Sequence, residues 1–186
     1  MDTAVTKKLF TVDEYYQMAE AGILQDDSRV ELIEGEIIQM SPIGTRHASC
    51  VSRANKLFMT RLGDRIWLSP QNPVRLSNIT EPQPDMLLLK PRADFYGSKH
   101  PVADDTYLVL EVSDTTLRYD RDRKLPLYAK AGVPEVWIED LKANQILVYR
   151  NPKGKRFSTS LVFHRGQQLS LAAFPEISFK VDDLIG

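Results

Sequence analysis

The chain has 186 residues, of which 42% are hydrophobic and 26% are charged, and this predicts one globular domain over residues 1–186. The formal net charge of -1 excludes a strongly basic polyanion-binding protein, so any contact with nucleic acid has to come from a local basic patch. Cys50 is the only cysteine, which excludes an intramolecular disulfide and a cysteine-cluster zinc site and favours a reducing cytoplasm. The amino-terminal residues lack the apolar run of a signal peptide, and no stretch approaches the ~20 apolar residues of a membrane span.

The first third of the sequence predicts a helix, a hairpin and a longer helix. Thr11 and Glu14 form a capping box before a helix that ends at Gly22. Residues 29–40 predict a β-hairpin whose turn lies near residues 34–35. A second helix is expected over residues 46–62, because apolar residues recur there at helical spacing. Its buried stripe consists of Val51, Ala54, Phe58 and Leu62.

The remaining two thirds predict mostly strands, with one further helix over residues 121–131 that ends at Gly132. Residues 107–112 have the clearest strand pattern, because a continuous apolar run is typical of a strand buried on both faces. Residues 90–105 are expected to be a loop, and residues 151–154 a turn. Other strands are expected at residues 66–68, 74–76, 85–89, 136–138, 146–149, 159–163 and 177–180. This order predicts an α/β sandwich with a mixed central sheet flanked by helices.

Glu111 places a carboxylate inside the most apolar of these strands. Desolvating a lone charge costs roughly several kcal/mol, so Glu111 needs either a metal ion or a basic side chain as its partner. A structural ion pair with Lys or Arg satisfies this need as well and stays open as an alternative. If Glu111 serves a metal and not the fold, replacing it with Leu should leave the metal-free protein at least as stable.

Asp85 follows Pro84 at the start of another apolar strand. A Pro-Asp pair alone usually marks a turn. Together with Glu111, however, it gives two acids at the edges of two buried strands, and these can converge on one hard cation. Mg²⁺ takes one or two carboxylates and keeps water in its other positions. Such an ion activates water and neutralises phosphate charge in phosphodiester hydrolysis.

Asp85, followed after a spacer by residues 111–113, resembles the pattern of the PD-(D/E)XK nuclease superfamily. A longer set of residues, between about residues 10 and 150, is similar to the Uma-type family of restriction endonucleases. The set comprises residues 31–36, His47, residues 111–114, Asp120, Lys124, Tyr128, Ala129, residues 132–133 and residues 135–138. The resemblance implies a restriction-endonuclease-like fold and hydrolysis of DNA with Mg²⁺ or Mn²⁺ as the cofactor.

The resemblance also implies roles for individual acids. Asp85 and Glu111 would bind the metal, and Glu31 would be a third acid beside them. Glu31 has a plainer interpretation, because Glu34 and Glu36 flank it as in a solvated, charged hairpin.

The superfamily pattern has Lys two residues after the second acid, where this chain has Ser113. The nearest replacement is Lys124, with Tyr128 one helical turn later on the same face. We expect Lys124 to orient the attacking water and to stabilise charge on the phosphate. The alternative is that Lys124 pairs with Asp120 or Asp122 on the surface.

The helix at residues 46–62 carries two further predictions. His47 lies on its apolar face, where a lone histidine is usually a core residue, but the resemblance implies a contact to phosphate or water. The opposite face has basic residues that either contact DNA phosphates or form an ordinary solvated surface. These are Arg46, Arg53 and Lys56.

The sequence therefore predicts a metal-dependent endodeoxyribonuclease, and cleavage of duplex DNA favours a homodimer because two strands need two sites. A catalytically silent binding or assembly module is the main alternative, favoured by the near-neutral charge and by Ser113. A hydrolase of small phosphate esters is the third.

Overall fold

The amino-terminal part of the fold is a helix followed by a hairpin. A computed structural model describes residues 6–25 and 28–186. Helix α1 (Val12–Glu20) begins with the predicted capping box, in which the Glu14 N–H donates to the Thr11 hydroxyl over 3.1 Å and the Thr11 N–H donates to the Glu14 carboxylate over 2.8 Å. Strands β1 (Val30–Ile33) and β2 (Glu36–Gln39) form the predicted antiparallel hairpin. Its turn residues Glu34 and Gly35 have φ values of 49° and 80°, as a tight hairpin requires.

Helix α2 (Thr45–Leu62) follows the hairpin and begins one residue before the predicted start. Four apolar residues at helical spacing are buried, which fixes the face that the helix turns toward the sheet. They are Cys50, Ala54, Phe58 and Leu62, so Cys50 takes the place of the predicted Val51, which is half-buried. Within residues 6–25 and 28–186, no helix combines the length and the apolar character needed to cross a membrane.

The central sheet has six strands in the order β3-β4-β5-β6-β7-β8. Only the β5–β6 pair is parallel, and the other neighbouring pairs are antiparallel. The sheet is therefore mixed, and the predicted α/β architecture is confirmed. Its strands are β3 (Trp67–Pro70), β4 (Met86–Leu89), β5 (Thr106–Ser113), β6 (Glu135–Asp140), β7 (Gln145–Lys153) and β8 (Arg156–His164).

Apolar side chains cover both faces of this sheet. On one face, Leu110 and Val112 of β5 pack with Phe58 of α2 and with the carboxyl-terminal elements. On the other face, Val109 of β5 packs with Tyr128 of the second helical layer. Strand β5 is thus buried on both sides, as its continuous apolar pattern predicts.

The helical layer after β5 differs from the prediction in its start and in its winding. It begins at Leu117 and not near residue 121, and comprises α3 (Leu117–Tyr119), a π-helical turn (Asp120–Lys124) and α4 (Leu125–Ala131). Pro126 therefore lies well inside the helical run. Because proline lacks an N–H and crowds the carbonyl four residues earlier, the wider turn directly before it accommodates the ring. The helical run ends at Gly132 with φ 87°, as predicted.

The remaining differences concern short elements. Residues 74–76 are not a strand but contribute one isolated bridge from Arg75 to Val102, because Leu76 and Ser77 bond back to Thr80 in a local turn. Strand β7 continues through the predicted turn at residues 151–154, and the chain reverses after Lys153. Strands β9 (Gln168–Leu171) and β10 (Phe174–Lys180) form a small separate sheet before helix α5 (Val181–Ile185).

Candidate active site

Asp85 and Glu111 meet where β4 begins beside β5. Met86 pairs with Leu110 in the antiparallel register, so the residues one step further along each strand are neighbours. The Val112 N–H donates to Asp85 Oδ2 over 2.8 Å, which holds the Asp85 carboxylate against β5. The structure therefore brings together the two acids that the sequence predicts as metal ligands.

Lys124 and Tyr128 reach the Glu111 carboxylate from the helical layer. Lys124 Nζ lies 3.2 Å from Glu111 Oε1, and the Tyr128 hydroxyl donates to the same oxygen over 2.6 Å. Lys124 and Glu111 are 4% and 3% exposed, so this is a buried ion pair and not a surface one. Lys124 faces the site, so it does not form the alternative surface pair with Asp120 or Asp122.

Glu31 enters the same cluster from the hairpin. Its Oε2 atom lies 3.0 Å from Lys124 Nζ and accepts the Gln83 N–H over 3.1 Å. A bridge between Leu32 and Glu81 attaches β1 to the segment before β4 and fixes this position. At 3% exposure, Glu31 is not part of a solvated hairpin face.

His47 approaches Asp85 from the first turns of α2. Its Nε2 atom lies 3.0 Å from Asp85 Oδ1, while Nδ1 is buried without a hydrogen-bond partner among the described residues. His47 is therefore placed to orient Asp85, which is a specific contact and not simple core packing.

Asp120 is a further site residue, to which the sequence analysis gave no role beyond the family resemblance and an alternative surface pair with Lys124. Its Oδ2 atom accepts the Ser113 hydroxyl over 2.7 Å and the Thr116 hydroxyl over 2.6 Å. It is 5% exposed and lies four residues before Lys124. That spacing was the available signal, because residues four apart share a helix face.

The electrostatics of this cluster are dominated by burial and by an excess of acids. Burial raises the pKa of Glu111 to about 8, the Lys124 charge opposes this, and Asp120 and Asp85 add to it. Burial acts to lower the pKa of Lys124, but Glu111, Glu31 and Asp120 raise it above its usual value. Burial raises the pKa of Asp120 as well. Lys124 is therefore held charged, and the surrounding carboxylates compete for its single charge.

An open cavity of about 450 Å³ gives access to the cluster. The titratable groups on its wall are those of Arg29, Glu31, His47, Asp85, Glu111, Asp114, Tyr119, Asp120 and Lys124. Ser113 and Tyr128 support the wall from behind without lining it.

The site fits a divalent ion with few protein ligands. Within residues 6–25 and 28–186, no group of three or more His, Cys, Asp or Glu side chains is arranged to hold a metal ion. Mg²⁺ needs only one or two carboxylates when water completes its shell. Hydrogen bonds to Glu111 come to Oε1, which leaves Oε2 for another ligand. The acidic excess supplies the electrostatic reason for a cation.

The basic residues predicted on α2 lie outside this cavity. Arg46, Arg53 and Lys56 are exposed, and none of them lines the cavity wall. Arg46 donates to Asn144 Oδ1 over 2.9 Å, which ties the start of α2 to the β6–β7 turn. Arg29, which sequence reasoning missed, is the basic residue at the cavity mouth, and its guanidinium donates to the Ser41 carbonyl over 2.8 Å.

Glu139 is a second buried acid that was not predicted. It is 0% exposed, and neither carboxyl oxygen has a hydrogen-bond partner in the described part of the chain. Burial, together with the nearby Asp85 charge, raises its pKa to about 8. Glu139 does not line the cavity.

Comparison with known proteins places the chain in a nuclease context. A solved structure from Anabaena variabilis ATCC 29413, described as a putative nuclease belonging to DUF820, has a TM-score of 0.72 to this chain. It is 18% identical, and the match covers 95% of this chain and 97% of that one, so it shows that the fold is shared. A search of curated proteins finds no match. The family described as "Uma2: Putative restriction endonuclease" matches residues 12–182, and this chain therefore belongs to the Uma2 family.

Proposed function

We propose that this chain is a divalent-metal-dependent nuclease that hydrolyses phosphodiester bonds in DNA. The observation that carries the proposal is the convergence of Asp85, Glu111 and Lys124 on one open cavity. The family and the shared fold support the same reaction class.

Asp85 and Glu111 would hold one Mg²⁺ or Mn²⁺ ion, with water in its remaining positions. When bound, the ion polarises the phosphate and lowers the pKa of a bound water. The charge balance of the cavity supports this assignment. Five carboxyl groups line it beside the buried ammonium of Lys124: those of Glu31, Asp85, Glu111, Asp114 and Asp120.

Lys124 takes the part that the superfamily pattern gives to a lysine at position 113. Strand alternation would have placed a lysine there on the Glu111 side of β5. The helical layer brings Lys124 Nζ to that side instead, 3.2 Å from Glu111 Oε1. Its ammonium has three hydrogens, and one of them can be directed at the attacking water or at a phosphate oxygen.

Other residues of the cluster position these groups. Glu31 holds the Lys124 ammonium at 3.0 Å, and Tyr128 fixes Oε1 of Glu111. The His47 side chain lies against Asp85, with Nε2 3.0 Å from Oδ1. The hydroxyl of Ser113 donates to Asp120 and fixes this acid in the cavity wall.

A catalytically silent binding module is the second candidate function. The contacts of Lys124 favour it, because an ammonium held between Glu31 and Glu111 already acts as an internal counter-ion. In such a module, Lys124 would replace the metal ion and not assist it.

One experiment separates the two candidates. Purified protein is incubated with supercoiled plasmid and with single-stranded DNA, with and without Mn²⁺. We expect cutting that requires the metal, stops in EDTA and is lost in Asp85→Asn. Glu176→Gln, which changes an exposed acid paired with Arg65, is the matched control and should cut at the wild-type rate. An uncut plasmid at high protein concentration selects the binding module.

Two further expectations belong to this proposal. Cleavage of both strands of a duplex favours a homodimer, because each strand needs its own site. A cytoplasmic location is in keeping with the lone Cys50, which is buried and free. Sedimentation equilibrium of the wild-type protein with and without duplex DNA measures the assembly.

A further inference from the structure

The charge of the chain is distributed unevenly along the sequence. Residues 141–175 contain six of the 24 Lys and Arg residues and none of the 25 Asp and Glu residues. The rest of the chain is therefore acidic on balance, although the total charge is only -1. Strands β7 and β8 make up more than half of this basic stretch.

Three of the six basic residues lie together at the tip of the β7–β8 hairpin. Lys153 ends β7, Arg156 begins β8, and the two residues are directly opposite each other in the register. Lys155 lies in the turn between them, next to Gly154 with φ 60°. All three side chains are exposed.

The two other arginines of this basic stretch form salt bridges, whereas the three basic residues of the hairpin tip do not among the described residues. Arg150 pairs with Glu135 over 2.8 Å, and Arg165 pairs with Asp182 over 3.3 Å. Within residues 6–25 and 28–186, no salt bridge includes a residue of the tip. Like charges directly opposite across two strands are destabilising, by roughly 0.2–1 kcal/mol. An anionic partner would offset the repulsion between Lys153 and Arg156.

The shape of the hairpin suits a nucleic-acid duplex. Each of its strands has nine residues, but β7 pairs with β6 as far as Arg150, so roughly 10 Å of the hairpin, residues 151–153 and their partners on β8, projects beyond the sheet as a two-stranded ribbon. Strand β8 is the last strand of the sheet, and most of its side chains are exposed. The major groove of B-DNA is wide enough for a two-stranded β-ribbon, and lysine and arginine bind the phosphates at its edges.

The sheet also gives the distance between the tip and the candidate active site. Leu147 of β7 is level with Glu111, because both pair with Ile138. From Leu147 to Lys153 the strand rises roughly 20 Å toward the amino-terminal end of β5. Because β7 lies two strands from β5, the tip is roughly 22 Å from Glu111, which is the length of about six base pairs.

We infer that Lys153, Lys155 and Arg156 form a second DNA contact, which binds backbone phosphates about six base pairs from the bond that is cut. This inference rests on the proposed nuclease function for its substrate class. This DNA-binding surface is separate from the basic residues of α2, which are Arg46, Arg53 and Lys56.

The test measures binding in EDTA, so that it does not depend on cleavage. Fluorescence anisotropy with a labelled 30-base-pair duplex gives the affinity at several salt concentrations for wild type and for Lys153→Ala/Lys155→Ala/Arg156→Ala. Each lost phosphate contact should reduce the salt slope of log K by about 0.9, so the triple variant should lose about 2 to 3 units of slope. The matched control removes three exposed lysines elsewhere: Lys90→Ala/Lys99→Ala/Lys130→Ala.

A hairpin variant with the wild-type salt slope overturns the inference. An equal loss of slope in the control variant also overturns it, because that would mean a general effect of net charge. Lys155→Glu, a single change in an exposed turn, provides a second test if the triple variant melts early, and it should also weaken binding. Plasmid cutting with Mn²⁺ is recorded separately. If cutting is absent while the slope changes as expected, the nuclease proposal fails and the DNA contact stands.

Discussion

Glu111 and Glu139 are buried acids on adjacent parallel strands, one residue apart in register. Burial raises the pKa of each to about 8. Glu111 faces the cavity and accepts hydrogen bonds from Lys124 and Tyr128. Glu139 lies on the other face of the sheet, with Val112 as its register partner, and has no hydrogen-bond partner among the described residues.

The comparison shows that two equally buried acids can have very different surroundings. A one-residue step along a strand turns the side chain to the opposite face of the sheet. On one face, this step places a carboxylate beside an ammonium and an open cavity. On the other face, it leaves a carboxylate among apolar residues, where it is an electrostatic cost.

The largest expected effect is the loss of cleavage in Lys124→Ala. Removing a preorganised donor for the charge on the phosphate typically lowers the rate ~10²–10³-fold. Metal affinity should remain, because Asp85 and Glu111 keep their carboxylates. Plasmid cleavage and Mn²⁺ titration measure the two properties separately.

Lys130→Ala, an exposed residue of α4, is the control for Lys124→Ala and should cleave normally. Adding Ser113→Lys to Lys124→Ala should restore part of the rate, since it returns a lysine to the superfamily position. Wild-type cleavage by Lys124→Ala would refute the idea that the catalytic lysine has moved to position 124.

Glu139→Leu should stabilise the protein. A carboxyl group with a pKa of about 8 in the folded state and near 4.5 in the unfolded state opposes folding by about 3 kcal/mol at pH 7, as an upper value. Thermal denaturation at pH 7 should show a melting temperature roughly 5–10 °C higher than that of wild type. A lower melting temperature would mean that Glu139 has a partner that the fold depends on.

The same pKa shift predicts a pH dependence of stability. The folded state retains the Glu139 proton to higher pH than the unfolded state, so the contribution of Glu139 to stability is most favourable below the unfolded pKa. This contribution to the free energy of unfolding should fall as the pH rises from 4.5 to about 8. Glu139→Gln should reduce this slope, as measured by urea denaturation at pH 5, 6, 7 and 8. Identical slopes for both proteins would contradict the assigned shift.

Glu111→Leu, unlike Glu139→Leu, should lower the stability of the protein. From sequence alone, this change is expected to leave the metal-free protein at least as stable, but the contacts of Glu111 change that expectation. Tyr128 is fully buried and would lose its acceptor, which costs about 1–3 kcal/mol. Glu111→Gln keeps an acceptor and serves as the control. A higher melting temperature for Glu111→Leu in EDTA would favour the original expectation.

Ser113→Ala should have the smallest effect. It removes one of the two hydroxyl groups that bond Asp120, and the Thr116 hydroxyl remains. We expect a loss of about 1 kcal/mol in the free energy of unfolding and little change in cleavage. A loss of cleavage comparable to that of Lys124→Ala would give Ser113 a direct part in the reaction.

The sequence predicted the elements that have a strong local signal. The capping box at Thr11, the apolar stripe of α2 and the continuous apolar run of β5 each depend on neighbouring residues, and each is present. The π-helical turn was not predicted, although Pro126 is the local feature that the wider turn accommodates.

Partners across the fold were harder to predict than the elements themselves. The approach of Lys124 to both Glu31 and Glu111 joins three elements that are far apart in sequence. Which face of β6 carries Glu139 depends on the register with β5, which a single sequence does not specify. The basic tip of the β7–β8 hairpin was not predicted, because the β7–β8 register is what places Lys153 opposite Arg156.

Calorimetric titration with Mn²⁺ tests the central claim most directly, using wild type, Asp85→Asn and Glu139→Gln. The account predicts one bound ion per chain in wild type and in Glu139→Gln, and much weaker binding in Asp85→Asn. Equal affinity in wild type and Asp85→Asn, or loss of binding in Glu139→Gln, would contradict it.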